Sequence, residues 1–197
     1  MFQTLKPLIL ASASPRRSDL LAGLSIRFTV EVPEIDESRH SNESPETYVE
    51  RMARSKAADI GARHDDAWVI AADTIVILGD TVLTKPASRE HAVDMLMQLS
   101  GRDHRVQTAY CLFCSREGIC IVERTETRVR FQGFARSWAE AYAETGEPLD
   151  KAGGYGIQER GGVLVEGIDG SYSNVVGLPL AEVVRLLVRH GVVAAGS

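Results

Sequence analysis

Short apolar runs and amphipathic stretches alternate along the chain. Residues 7–13 and 68–78 are nearly continuous apolar runs of strand length, whereas residues 45–63 place apolar side chains at helical spacing. Gly79 and Asp80 separate the second run from a short apolar segment, which is typical of a hairpin. Strands and helices therefore intermix, and we predict an α/β fold with a mixed sheet.

The same patterns predict the other elements. Ser14, Ser44 and Ser88 stand where helix caps are expected, and proline follows the first two at the first helical position. Further strands are predicted over 26–32, 81–83, 104–115, 119–130 and 163–168. Helices are predicted over 16–22, 45–63, 88–99, 135–144 and 180–190, and the tail after Gly191 is expected to fray.

Composition narrows the class of protein. The 197 residues are 44% hydrophobic, enough for a core that needs no disulfide or structural metal. A net charge of −5 argues against binding to a nucleic acid polymer. No segment approaches the roughly 18 apolar residues of a membrane span, and no signal peptide is visible, so a cytoplasmic location is expected. The three cysteines are expected to be small buried side chains.

The segment Ser12 to Arg17 is the first candidate for chemistry. A strand ends there and a helix begins, so free backbone N–H groups and the positive helix end would favour an anion. Arg16 and Arg17 add forked donors suited to phosphate oxygens. A capped helix with solvated arginines explains the pattern equally well. The phosphate loop pattern GxxxxGK[ST] is absent from the sequence.

Asp73 is the second candidate, because it interrupts an apolar strand that should be buried. A buried carboxylate is costly unless it has a cation or a firm hydrogen-bond partner. We favour a catalytic or metal-binding role over the alternative, in which Asp73 caps a neighbouring element. Lys56, Lys85 and Glu37 are not informative singly, since most such residues are solvated.

Residues 146–162 form the third candidate, a glycine-rich loop with several polar side chains. Its glycines allow the backbone to approach a ligand closely. Asp150 and Lys151 offer charge, and the amide of Gln158 could read a nucleotide base. A mobile surface loop is the alternative. No role is assigned to the scattered histidines.

These segments together resemble the Maf family of nucleotide pyrophosphatases. The resemblance covers nearly the whole chain, in order, and rests on LASASPRR, AADTIV, SGRDHRVQT, TGEPLDKAGGYGIQ and IDGSYSNVVGLPL. It implies one family domain over residues 1–197. It also implies an elongated, ITPase-like mixed sheet flanked by helices, with two lobes around a central cleft.

The resemblance further implies hydrolysis of a nucleoside triphosphate to the monophosphate and pyrophosphate. Asp73 would activate water, and Lys56 and Lys85 would complete the catalytic set as cationic contacts. Glu37 and Asp73 would hold a divalent metal, Mg²⁺, Mn²⁺ or Co²⁺. The implied substrate contacts are Ser12, Arg16, Arg17, Thr74 and Gln158.

The loop DKAGGYGIQ resembles the branch of the family that acts on dTTP and UTP. Arg16, Thr74 and Gln158 match positions linked to that base preference. Thr84 stands where many members have glycine, and Gly154 where alanine is more usual. The alternatives are a pyrophosphatase for modified nucleotides such as 7-methyl-GTP, and a nucleotide-binding regulator of septum formation. A homodimer is plausible by resemblance.

Overall fold

A computed structural model describes residues 1–196 of the chain. The strands are β1 (Phe2–Thr4), β2 (Leu8–Ala11), β3 (Thr29–Glu31), β4 (Trp68–Leu78), β5 (Thr81–Leu83), β6 (Asp103–Cys114), β7 (Ile119–Phe131), β8 (Val165–Asp169) and β9 (Val193–Ala195). The α-helices are α1 (Pro15–Ala22), α2 (Pro45–Gly61), α3 (Arg89–Leu99), α4 (Arg136–Glu144), α5 (Tyr172–Val176) and α6 (Leu180–Arg189). No helix in this described part combines the length and apolar character that crossing a membrane requires.

The main sheet is mixed, as predicted. Its strands follow the order β3-β2-β4-β6-β7-β8, and β5 pairs with β4. Strand β2 runs parallel to both β3 and β4, whereas β4–β5 and β7–β8 are antiparallel pairs. Helices flank this sheet, so the predicted α/β class is confirmed.

The chain divides into two compact units. The first contains Met1–Asp73, Thr108–Thr125 and the residues from Gly177 onward; the second contains Thr74–Gln107 and Glu126–Val176. Each unit has an apolar core of its own. The first core includes Leu10, Trp68, Ile70, Leu112 and Leu187, and the second includes Leu96, Leu99, Val129, Phe131 and Leu164.

The three predicted helix starts are in place, but one cap differs. The hydroxyls of Ser44 and Ser88 each accept a hydrogen bond from the backbone N–H of the third residue of the helix, Thr47 and His91 respectively, which is ordinary capping geometry. Ser14 also stands at the N-cap position, yet its side chain makes no capping hydrogen bond. Its backbone N–H donates to the hydroxyl of Ser12 at 3.1 Å instead. The preceding serine therefore organises this helix start.

The C-terminal end of the described chain and the glycine-rich loop are more ordered than the sequence pattern predicted. The tail was expected to fray, and that prediction is wrong, because Val193–Ala195 pairs antiparallel with Phe2–Thr4. The glycine-rich loop is also largely structured, by short 3₁₀ helices over Glu147–Asp150, Ala152–Gly154 and Arg160–Leu164. The last of these shortens the strand predicted over 163–168, which begins at Val165.

The cysteines divide by burial. Cys111 and Cys114 are buried as predicted, but Cys120 is exposed. Burial raises the pKa of the Cys111 thiol above its usual value. All three are free thiols, so none contributes a covalent cross-link to the fold.

His104 is a buried polar residue in the core of the second unit. Its side chain packs edge-on against Phe131 and Tyr155, and Nε2 lies 2.7 Å from the Tyr155 hydroxyl. Nδ1 has no hydrogen-bond partner among residues 1–196. Burial lowers the pKa of His104 to about 4, so the ring is neutral at pH 7.

This burial predicts an acid-sensitive stability. In the unfolded chain, a histidine has a pKa of about 6.5 and is protonated below that pH. In the folded protein, His104 is protonated only near pH 4, so between these two pH values the unfolded state binds one proton more. The free energy of unfolding should therefore fall as the pH drops from about 6.5 to about 4, by about 3 kcal/mol from this residue. Denaturant titrations at several pH values measure it. His104→Gln should flatten the dependence, whereas His40→Gln, at an exposed position, should not; equal slopes in all three proteins would contradict the prediction.

Candidate active site

Ser12 lies between the end of β2 and the start of α1. Its backbone N–H donates to the carbonyl of Glu31 at 3.0 Å, which ties it to the neighbouring strand β3. Its hydroxyl accepts hydrogen bonds from the Ser14 N–H at 3.1 Å and from Arg17 Nη1 at 3.3 Å. Ser12 is 3% exposed, so it shapes this turn from within the protein.

Arg17 is held in place by hydrogen bonds at two of its nitrogens. Besides the contact with Ser12, its Nε donates to the carbonyl of Gly177 at 2.8 Å. Burial lowers the pKa of Arg17, the charges of Asp73 and Glu37 raise it, and the charge of Arg16 lowers it. Arg17 therefore lies within electrostatic range of Asp73, Glu37 and Arg16.

Lys56 joins two carboxylates. Its Nζ lies 2.6 Å from Asp73 Oδ1 and 2.7 Å from Glu37 Oε1. Lys56 projects from α2 and is 8% exposed, whereas the side chain of Glu37 is 55% exposed. An ammonium group as buried as this one needs compensating charge, and the two carboxylates supply it.

Asp73 lies where strand β4 becomes partly accessible. Within the 11 residues of β4, only Asp73 and Thr74 are partly exposed, and the residues on either side of them are buried. The predicted interruption of a buried strand is thus present in the structure. The carboxylate keeps some contact with solvent and gains a cation from Lys56, which together explain how the strand accommodates it.

The segment that carries Glu37 is tied to α2. The Tyr48 hydroxyl donates to the Glu37 carbonyl at 2.9 Å, and Arg51 Nη2 donates to the Ser38 carbonyl at 3.0 Å. Arg51 also binds both carboxylate oxygens of Glu43, at 2.7 Å each. This hydrogen bonding to Arg51 lowers the pKa of Glu43 to about 2. Sequence reasoning missed Tyr48, Arg51 and Glu43, because their contacts cross a segment with no periodic pattern.

The other predicted site residues belong to the second unit. Lys85 follows β5 and is exposed, and Gln158 is exposed in the glycine-rich loop. Lys151 is turned inward: it is 6% exposed, and its Nζ donates to the Glu147 carbonyl and to Asp150 Oδ1, both at 2.8 Å. The Lys151 ammonium group therefore binds to groups of the loop. In the first unit, by contrast, the structure brings Ser12, Arg16, Arg17, Glu37, Lys56 and Asp73 together.

The carboxylates of Asp73 and Glu37 suit a metal ion whose other ligands come from a bound molecule and from water. Among residues 1–196, no three His, Cys, Asp or Glu side chains converge as a metal-binding group. Asp73 and Glu37 instead share Lys56, so two carboxylates are available at one place. Mg²⁺ is often bound by one or two carboxylates together with substrate phosphates and waters. The pair fits that type of site and does not form a metal cage made of protein alone.

Comparison with known proteins identifies the family of the sequence. The profile of the Maf-like protein family matches residues 7–190. The chain belongs to the Maf-like family. The match includes every site residue predicted from the sequence, from Ser12 to Gln158.

Two relatives of this Maf-like chain are similar to it over nearly their full length. A dTTP/UTP pyrophosphatase from Desulfotalea psychrophila is 51% identical over 194 residues, covering 98% of this chain and 100% of that protein. A protein of the same name from Myxococcus xanthus is 53% identical over 93% of this chain and 92% of its own length. The solved Ham1 protein of Staphylococcus aureus overlaps 64% of this chain and 72% of its own, with 14% identity and a TM-score of 0.45.

The ties to α2 predict how the segment bearing Glu37 responds to mutation. Arg51→Met removes the contacts with Ser38 and Glu43, so amide exchange over residues 36–43 should accelerate by roughly tenfold or more. Hydrogen-exchange mass spectrometry measures it. Arg63→Met is the matched control. It breaks an exposed ion pair between Arg63, just after the end of α2, and Asp59 on α2, and it should leave this exchange unchanged. Equal exchange in both variants would show that Arg51 does not restrain the segment.

Proposed function

We propose that this Maf-like chain hydrolyses dTTP and UTP to the nucleoside monophosphate and pyrophosphate. The observation that carries the proposal is the contact of Lys56 with both Asp73 and Glu37, within electrostatic range of Arg17 on α1. A pure nucleotide binder has no need of a carboxylate inside a buried strand. The names of the relatives, at about half identity over nearly the whole chain, support the same substrates.

In the proposed reaction, Asp73 accepts a proton from water. The water oxygen forms a bond to the α-phosphorus, the bond from that phosphorus to the bridging oxygen breaks, and pyrophosphate leaves with the electron pair. Such phosphoryl chemistry depends mainly on positioning and on neutralising charge. Lys56 orients the Asp73 carboxylate through its 2.6 Å contact, and it brings positive charge to the place where the phosphates would lie.

Cationic and polar groups would bind the rest of the substrate. Arg16 and Arg17 offer forked donors for phosphate oxygens, and the hydroxyl of Ser12 fixes the helix start from which they project. We also assign Lys85 to a phosphate contact. Thr74 and Gln158 are assigned to the choice of base, as the resemblance implies.

A divalent cation is part of this proposal. Glu37 and Asp73 would hold Mg²⁺, Mn²⁺ or Co²⁺ together with the substrate, and the cation would neutralise charge on the phosphates. Glu37 is suited to this task because its side chain is more than half exposed. Lys56 would then remain as the fixed positive charge that the protein itself supplies.

The first test of the mechanism is Asp73→Asn. The amide cannot accept the proton from water, so turnover should fall by at least about a hundredfold while nucleotide still binds. Steady-state pyrophosphate release and equilibrium binding of dTTP measure the two effects, and thermal unfolding controls for the loss of the Lys56 contact. Near-normal turnover in a folded variant would remove Asp73 from the mechanism.

The second test concerns Lys85. Because its side chain is exposed, Lys85→Ala should leave the unfolding temperature unchanged while raising the KM for dTTP by roughly tenfold. Arg102→Ala, which also removes an exposed cation from the second unit, is the matched control and should change neither quantity. Unchanged kinetics in Lys85→Ala would place the phosphate contact elsewhere.

A substrate panel tests the proposed function itself. Pyrophosphate release should be fastest with dTTP and UTP in a panel that also contains CTP, GTP and 7-methyl-GTP, with Mg²⁺, Mn²⁺ or Co²⁺. Faster release from 7-methyl-GTP would overturn the pyrimidine preference. Absence of release from every triphosphate with every metal would overturn the enzymatic function altogether.

A further inference from the structure

The exposed end of the glycine-rich loop is tied down at both sides by one pair of side chains. Tyr142, on helix α4, and Glu147, at the start of the first 3₁₀ helix, contact each other through Oη and Oε1 at 2.6 Å. Between the backbone positions that they hold lies Gln158, whose side chain is exposed. All of these residues belong to the second unit.

The backbone on the N-terminal side of Gln158 is held by the tyrosine. The Gly156 N–H donates to Tyr142 Oη at 3.0 Å. Burial and the hydrogen bond to Glu147 raise the pKa of Tyr142, so the hydroxyl stays protonated. It can therefore donate its proton to Glu147 while accepting from Gly156.

The backbone on the C-terminal side is held by the glutamate. The Gly161 N–H donates to Glu147 Oε1 at 3.1 Å, and the Arg160 N–H donates to Oε2 at 3.3 Å. Glu147 thus uses both carboxylate oxygens within the protein. Its carbonyl also accepts a hydrogen bond from Lys151, which joins the first part of the loop to the same residue.

Two glycines show how closely the loop is fitted around this pair. A Cβ atom on Gly161 would lie 2.5 Å from Tyr142 Oη and 2.8 Å from the Gly156 carbonyl oxygen. A Cβ atom on Gly156 would lie 2.6 Å from Lys151 Cε. A larger residue at Gly161 would push the backbone away from the hydrogen bonds that Tyr142 and Glu147 provide, whereas one at Gly156 would displace the end of the Lys151 side chain.

We propose that Tyr142 and Glu147 are positioning residues for base selection, because they fix the loop backbone on both sides of Gln158. The proposal rests on the function proposed above, in which the Gln158 amide reads the pyrimidine. The Gln158 amide meets the same edge of the base in every bound substrate only if the backbone that carries it is restrained, so discrimination between thymine and cytosine depends on that restraint. The Tyr142–Glu147 pair supplies that restraint without contacting the substrate.

Tyr142→Phe tests the proposal, since it removes the hydroxyl that contacts both Glu147 and Gly156 and keeps the ring. The KM for dTTP should rise about three- to tenfold, the magnitude of one or two lost hydrogen bonds, while kcat stays within about twofold. The ratio of kcat/KM for dTTP over dCTP should fall by a similar factor. Glu147→Gln keeps one acceptor oxygen and should retain more of this ratio than Glu147→Ala.

Tyr110→Phe is the matched control. It also removes a tyrosine hydroxyl that donates to a glutamate, Glu123 at 2.8 Å, but in the first unit. A loss of stability alone would affect both variants, whereas a loss of base selectivity should appear only in Tyr142→Phe. If folded Tyr142→Phe keeps the wild-type ratio of dTTP over dCTP, the proposed positioning role is wrong.

Hydrogen exchange separates this inference from the proposed function. In Tyr142→Phe, exchange at the amides of Gly156, Arg160 and Gly161 should accelerate relative to wild type and to Tyr110→Phe. If the wild-type protein hydrolyses no pyrimidine triphosphate, the proposed function fails, and faster exchange would still support the restraint on the loop. Unchanged exchange would overturn the restraint, whatever the enzyme's activity.

Discussion

The candidate site in the first unit depends on the ion pairs that Lys56 forms with Asp73 and Glu37. Strand β4 is buried along most of its length, and a carboxylate there would be costly without a cation close by. Helix α2 delivers that cation from a buried position, so Asp73 depends on the packing of α2. Glu37 shares the same ammonium, and the loop that carries it must therefore be held near α2.

Hydrogen bonds from distant side chains to loop backbone recur in both units. In the first unit, Tyr48 and Arg51 hold the carbonyls of Glu37 and Ser38. In the second, Tyr142 and Glu147 hold the N–H groups around Gln158. The described segment around Glu37 has no apolar side chain in either core, whereas the glycine-rich loop also packs Tyr155 and Ile157 against the second core. In both loops, polar contacts to the backbone add restraint next to side chains that stay exposed.

Much of the fold could be predicted from local patterns. The apolar run over 68–78 matches β4 without error, and Ser44 and Ser88 cap helices as expected, because these signals depend on neighbours in sequence. The pairing of β1 with β9 could not be predicted, since two three-residue strands have no periodicity and meet only across the fold. The candidate site divides in the same way. Asp73 could be found in the sequence as a charge in an apolar run. The contact of Lys56 with two carboxylates and the hydrogen bonds of Tyr142 could not, because they depend on how the chain folds.

The uneven burial of the cysteines has a practical consequence for spectroscopy. Thiolates are the species that react with alkylating dyes, and burial disfavours that form at Cys111. Cys114 is also enclosed, while Cys120 is exposed on β7. A maleimide fluorophore should therefore attach selectively at Cys120 in the native state, without prior mutagenesis. The chain thus carries its own attachment site for a reporter in the first unit.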